Sequence, residues 1–166
     1  MKSSISFKIG DKMPDFILPD VNGKTVRLSE LIKKQPVVLV FYRGGWCPLC
    51  SKQLAALSAD FEQFKQKGAT LVAISNETPE QGVNLLTKLR LPYYLLTDSQ
   101  SKVISLYGVH VKKRELADMP ALLGHRKDYA MPSVFIINKQ GNLVWSFIGK
   151  TYRDRPDNEK ILANLR

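Results

Sequence analysis

The stretch Val37-Val-Leu-Val-Phe-Tyr-Arg-Gly-Gly-Trp-Cys-Pro-Leu-Cys50 decides the fold. Its first six residues are β-branched, aliphatic or aromatic with no polar interruption, the pattern of a central strand buried on both faces. Gly44-Gly45 lets the backbone turn sharply, and Pro48 has the fixed φ that suits the first turn of a helix. From Cys50 onward Leu54, Leu57, Phe61 and Phe64 recur at spacings of four and three, which places them on one helical face. The segment therefore predicts a strand, a tight turn and a helix from about residue 47 to 67, with Gly68 as its C′ residue.

Upstream, residues 15–19 and 24–28 flank Asn22-Gly23, a strong hairpin turn. Ser29 is the expected N-cap of a short helix over 30–34, stopped before Pro36. Downstream, residues 69–74 predict a second central strand, and Thr78-Pro79-Glu80 opens a helix reaching about Leu89. Residues 93–97 predict a third strand, and 101–107 a short helix closed by Gly108. Residues 132–137 and 142–148, about a turn at Lys139-Gln-Gly141, read as a terminal antiparallel hairpin, and 156–165 as a closing helix. Residues 110–130 show little periodicity and exceed an ordinary connection, which reads as a functional loop or an insertion. Strands alternating with helices, then a hairpin and a helix, give an α/β chain with a mixed central sheet flanked by helices. That order is the order of an elaborated thioredoxin-like fold with an N-terminal β-hairpin extension, and residues 1–166 are read as a single domain.

The bulk properties narrow the function. A chain of 166 residues that is 44% hydrophobic is ordinary for one core. No run approaches the roughly 20 apolar residues of a membrane-spanning helix. The first ten residues lack an apolar h-region and a small-residue cleavage site, so a cytoplasmic location is expected. The net charge of +10 is not gathered into a stripe: Lys112-Lys-Arg114, the longest basic run, is followed by Glu115 and Asp118. A solvated basic surface is the expected reading, with weak attraction of anionic partners as the other; neither a nucleic-acid nor a membrane partner is expected.

The two cysteines, Cys47 and Cys50, are too few for a secreted disulfide framework. As Cys-Pro-Leu-Cys at a helix start they suit redox chemistry. A thiol reacts as its thiolate, and the N-terminus of a helix favours an anion through its unsatisfied N–H groups and the macrodipole. Cys47 falls at that terminus, Pro48 fixes the backbone after it, and Arg43 lies four residues back as a second positive charge. Cys47 is therefore the expected attacking sulfur. Cys50 begins the buried helix face. Residues three apart in a helix have Cα atoms roughly 5 Å apart, inside the ~4.4–6.8 Å that a disulfide tolerates. Trp46 is expected to shield the sulfur flank. An inert buried pair does not need Gly-Gly and Pro around an exposed helix start. Half a zinc site needs two more ligands, and His110 and His125 lack the close spacing. No metal and no cofactor are expected. His125 reads as a solvated loop residue, His110 as the same or as a proton donor near the site, and Trp145 as core or sheet surface.

Trp-Cys-Pro-x-Cys after a hydrophobic strand resembles the thioredoxin superfamily, and the longer Phe41-Tyr-Arg-Gly-Gly-Trp-Cys-Pro-Leu-Cys50 is similar to peroxiredoxin-like proteins of its AhpC/TSA branch. Gly10-Asp-Lys-Met-Pro-Asp-Phe16, Leu71-Val-Ala-Ile-Ser75 with Thr78-Pro-Glu80, Leu91-Pro-Tyr-Tyr-Leu-Leu-Thr-Asp98 and Met131-Pro-Ser-Val-Phe-Ile-Ile137 agree with that branch. The resemblance implies a cis peptide bond before Pro132, whose loop faces Cys47. It also implies reduction of hydrogen peroxide or organic hydroperoxides: Cys47 is oxidised to a sulfenic acid, Cys50 resolves it as a disulfide, and a thioredoxin-like or glutathione-like donor resets the pair. The working unit is expected to be a monomer or a homodimer. The alternative is a thioredoxin-like oxidoreductase acting on protein disulfides; a scaffold on the same fold is the third reading, disfavoured by an intact pair of thiols.

Two departures stand out. Typical peroxiredoxins carry Pro-x-x-x-Thr/Ser-x-x-Cys, but Gly44 lies three before Cys47 and Val40 seven before. Their activating arginine on the penultimate strand has no match in residues 142–148, which leaves Arg43, Arg153 and Arg155 as substitutes. The residues expected to position substrate are thus Arg43, Trp46 and Pro132.

Overall fold

The computed structural model describes residues 5–112 and 128–165. A leading hairpin pairs β1 (Ile17–Pro19) with β2 (Thr25–Arg27) and runs into α1 (Leu28–Ile32). The main sheet has the order β5-β4-β3-β8-β9. Its strands are β3 (Val37–Phe41), β4 (Thr70–Ser75), β5 (Tyr94–Thr97), β8 (Ser133–Ile137) and β9 (Leu143–Ile148). Strands β3, β4 and β5 are mutually parallel, while β8 runs antiparallel to β3 and to β9. Among the described residues the other helices are α2 (Pro48–Ala59), α3 (Phe61–Gln66), α4 (Pro79–Leu89), α5 (Lys102–Leu106) and α6 (Asn158–Ala163).

The apolar run is central, as expected. All five β3 residues are buried, and their side chains alternate between two cores. Val37, Leu39 and Phe41 join one core with Phe135, Tyr107 and residues of α1 and the hairpin. There Tyr107 meets Phe41 and Phe135 with ring centroids 5.4 and 5.3 Å apart, and its hydroxyl donates to Pro14 O at 2.7 Å. Val38 and Val40 face the other core, formed with Cys50, Leu54 and Leu57 of α2, Phe64 of α3, Leu85 of α4 and Ile161 of α6. Burial of each such side chain stabilises the fold by about 1.5–3 kcal/mol, so the sheet end that carries the cysteines is held from both sides.

Four expectations are corrected. Ser29 is not an N-cap: α1 starts at Leu28, Arg27 offers no side-chain cap, and the Ser29 N–H donates instead to Asp15 Oδ1 at 2.9 Å. The cap comes from the segment just before β1. The long helix is two helices that meet at Asp60, where Asn158 Nδ2 donates both to Asp60 Oδ2 (2.8 Å) and to Ala56 O (2.9 Å). The closing helix is shorter than expected and is capped by Asp157, which accepts from the Lys160 N–H at 2.8 Å. Finally, there is no cis peptide bond among the described residues, so Met131–Pro132 is trans. An extended run satisfies that segment: the Met131 N–H donates to Val109 O at 2.8 Å, and Pro132 O accepts from the Gly149 N–H at 2.9 Å.

The ends of the irregular 110–130 segment pair as β6 (His110–Val111) and β7 (Tyr129–Ala130). Its interior, with His125, lies outside the described residues. His110 sits between Asp128 Oδ2 (2.9 Å from Nε2) and Ser105 Oγ (3.2 Å from Nδ1), so both ring nitrogens are engaged there and not with the cysteines. Trp145 is half-buried on β9 opposite Ile136, against the second core.

Candidate active site

Strand β3 delivers the chain to the site and α2 leaves from it. Cys47 is the N-cap residue of α2 in an extended conformation, and Pro48 is the first helical residue. The turn between them is pinned from several sides. The Cys47 N–H donates to Gly44 O at 3.1 Å and Cys47 O accepts from the Ser51 N–H at 3.0 Å. The Gly45 N–H donates to Glu77 Oε1 at 2.6 Å, and Ser51 Oγ donates to Gly45 O at 3.3 Å. Both sulfurs are secluded: Cys47 is 2% exposed and Cys50 0%, and both are free thiols.

Two guanidinium groups face this pair. Arg43, 2% exposed, follows the end of β3; its Nη1 donates to Cys47 Sγ at 3.7 Å while its backbone N–H donates to Cys50 Sγ at 3.4 Å. Its guanidinium lies over three aromatic rings, Trp46 at 4.7 Å, Tyr129 at 4.4 Å and Tyr152 at 4.6 Å. Such stacking helps hold a buried cation in place. Arg155 arrives from the segment before α6. Its Nη2 donates to Cys50 Sγ at 3.2 Å, to Cys47 Sγ at 3.8 Å and to Tyr152 O at 3.0 Å, and its Nη1 donates to Gln53 Oε1 at 2.8 Å. Arg153, the third candidate, is exposed and donates through Nε to Tyr152 Oη at 3.1 Å.

The two thiols are electrostatically opposite. The hydrogen bond from the Cys50 thiol is the largest influence on Cys47, and the Cys50 backbone N–H and the charges of Arg43 and Arg155 add to it. Together they outweigh burial and lower the Cys47 thiol from its ordinary 9.0 to about 5. Burial pushes the Cys50 thiol up, and the hydrogen bond to Cys47 raises it further against the charge of Arg155. At neutral pH Cys47 is the thiolate and Cys50 holds the proton. Iodoacetamide labelling of reduced protein should therefore rise through pH 5 and be flat by pH 7, with Cys47 modified first. Labelling that climbs only near pH 9, or that falls first on Cys50 in peptide mapping, contradicts this assignment.

The site thus brings together Cys47, Cys50, Arg43 and Trp46. Pro132 lies at the same sheet end, next to Ser133, which pairs with Phe41. Sequence reasoning missed Gln53, Glu77, Tyr129 and Tyr152. Gln53 sits three residues after Cys50 on α2, a helical spacing that marks it as a neighbour; the two tyrosines carry no such signal.

The profile of the AhpC/TSA family matches residues 9–146. The chain belongs to the AhpC/TSA family. It is 36% identical over 133 residues to a chloroplastic peroxiredoxin Q of Populus jackii, covering 79% of this chain and 59% of that one. It therefore spans about three-fifths of that relative's length. The chloroplastic peroxiredoxin Q of Triticum aestivum is 32% identical over 158 residues, covering 94% of this chain and 67% of that one. A thiol-disulfide oxidoreductase ResA of Bacillus thuringiensis is 27% identical over 149 residues, covering 89% and 74%. Among solved structures, peroxidoxin BcpB of Mycobacterium tuberculosis superposes with a TM-score of 0.80 at 27% identity, covering 96% of this chain and 97% of that one. Against the AhpC/TSA pattern, the missing hydroxyl at position 44 has a steric counterpart. A Cβ at Gly44 would collide with Trp46 Nε1, so the indole edge occupies the space that a threonine or serine side chain needs.

Proposed function

We propose that the protein is a thiol-dependent peroxidase in which the Cys47 thiolate attacks the O–O bond of hydrogen peroxide or an organic hydroperoxide. The observation that carries this reading is a secluded thiolate with guanidinium donors on two sides, Arg43 at 3.7 Å and Arg155 at 3.8 Å. When sulfur attacks one peroxide oxygen, negative charge develops on the departing oxygen, and donors already fixed at the sulfur stabilise it without reorganising. Cys47 becomes a sulfenic acid and water or an alcohol leaves. Cys50 then forms the disulfide, and a thioredoxin-like or glutathione-like dithiol or thiol restores the pair by exchange. Because both cysteines come from one chain, a monomer and a homodimer are equally competent. The cycle requires a reducing compartment, which fits a cytoplasmic location.

The second reading is exchange with protein disulfides, favoured by the ResA relative and by Pro48 and Leu49, which are exposed beside the pair. A peptide disulfide must reach Cys47 in line with its S–S axis, and a sulfur that is 2% exposed admits a two-oxygen molecule far more easily. Stopped-flow mixing of reduced protein with hydrogen peroxide and with an organic hydroperoxide, beside an insulin-reduction assay, separates the two. The expected result is peroxide oxidation at least about 100-fold faster than free cysteine. Reaction no faster than free cysteine, together with rapid insulin reduction, gives the function to the second reading.

A further inference from the structure

The two arginines do not treat the two sulfurs alike. Arg43 turns its side chain to Cys47 and only its backbone N–H to Cys50. Arg155 reaches both, but stands at 3.2 Å from Cys50 Sγ against 3.8 Å from Cys47 Sγ. Its aim is set by two fixed acceptors, Gln53 Oε1 on α2 and the Tyr152 carbonyl. Gln53 is itself nearly buried at 9% exposure, so the guanidinium plane is defined by the scaffold and not by solvent.

We propose that Arg155 is the catalytic residue of disulfide formation, holding the Cys50 sulfur as a thiolate for its attack on the Cys47 sulfenic acid, while Arg43 serves the preceding peroxide step. This rests on the thiol-peroxidase reading. Disulfide formation needs a nucleophilic Cys50, yet in the reduced protein that proton is held by burial and by the bond donated to the Cys47 thiolate. Oxidation removes the second restraint: a sulfenic sulfur is no longer an anion and no longer claims the Cys50 proton. The groups then facing Cys50 are the Arg155 guanidinium, the Arg43 backbone N–H and Tyr42, a buried phenol that burial keeps neutral. The guanidinium of Arg155, 3.2 Å away, is a full positive charge turned directly on Cys50. The step balances within the protein. The Cys50 sulfur attacks the Cys47 sulfur, the S–S bond forms as the S–O bond breaks, and the oxygen leaves as water with the proton that Cys50 gave up. Cys50 is oxidised and the sulfenic sulfur reduced, with no outside reagent.

The test is a rapid-quench time course of the reduced full chain with one equivalent of hydrogen peroxide, with the sulfenic acid trapped by dimedone and the disulfide counted by mass. Arg155→Gln should slow disulfide formation about 100-fold while slowing Cys47 oxidation by at least tenfold less. The sulfenic acid then accumulates, and excess peroxide carries it to the sulfinic acid. Gln53→Leu keeps the Arg155 charge but removes its aim, and should show the same selective slowing at about one tenth of the size. Equal losses in both steps, or a loss confined to oxidation, overturn the proposal; if Arg155→Gln does not fold, absence of selective slowing in Gln53→Leu does so. Wild-type protein that forms no sulfenic acid faster than free cysteine brings down the peroxidase reading and this proposal with it.

Discussion

Given one equivalent of hydrogen peroxide and no added thiol, Cys47→Ser should consume it only at the buffer background, and Cys50→Ser should consume it and stop at the sulfenic acid, where the wild type goes on to the disulfide. The difference follows from the positions of the sulfurs. Cys47 is the thiolate at the N-cap of α2, with guanidinium donors at 3.7 and 3.8 Å. A serine hydroxyl there stays protonated at neutral pH and has no comparable nucleophilicity toward an O–O bond. Cys50 is fully buried and holds its proton in the reduced state, so it cannot take over the first step. Its loss leaves the sulfenic acid without an internal partner. Peroxide consumed per chain reads the first variant, and the oxidation product identified by mass reads the second. Consumption that survives in Cys47→Ser would place the chemistry elsewhere, and wild-type protein that stays as the sulfenic acid would remove the resolving role of Cys50.

Arg43→Ala should slow the reaction with peroxide by about 100-fold at pH 7, the loss typical of one preorganised donor. The cause is separable from ionisation. The Cys50 thiol hydrogen bond contributes most to lowering Cys47 to about 5, and Arg43 acts alongside Arg155 as a smaller influence. A rise of about one pKa unit, equivalent to about 1.4 kcal/mol, leaves Cys47 almost wholly thiolate at pH 7. The lost rate therefore reports stabilisation of the departing oxygen. Arg43→Lys keeps a charge without the planar fork that spans three rings, and should recover only part of the rate. The check is the pH dependence of the second-order rate constant: Arg43→Ala should lower the plateau far more than it shifts the midpoint. A shifted midpoint with an unchanged plateau would reduce Arg43 to a group that only tunes the thiol.

Local signals proved readable where neighbouring residues alone determine structure. The apolar run of β3, the Gly-Pro punctuation around Cys47 and the 4-3 spacing from Cys50 all carry their own physical cause, and β3 and the start of α2 stand where the sequence put them. Thr78-Pro79 likewise opens α4, completed by a capping box with Gln81. What escaped the sequence depends on partners far along the chain. Asp15 caps α1 from 14 residues upstream, and Asn158 holds Asp60, where the two helices meet, from 98 residues downstream. The site divides in the same way. Cys47, Cys50 and Arg43 are one local segment, whereas the approach of Arg155 to Cys50 spans 105 residues and no periodicity announces it. The trans Met131–Pro132 bond was misread because a proline that opens a strand is compatible with either isomer, and backbone hydrogen bonds to Val109 and Gly149 decide the path.

The rings that hold Arg43 come from residues 46, 129 and 152, and Arg155 lies later still. A chain emerging from the ribosome presents the Cys-Pro-Leu-Cys segment long before those last parts exist, since synthesis adds only about 5–20 residues per second. Until they dock, neither guanidinium has the surroundings that aim it, and Cys47 lacks the two fixed donors that face it in the finished fold. The paired donors are in this sense a property of the finished molecule: the early segment supplies the sulfurs, and the C-terminal third completes what surrounds them.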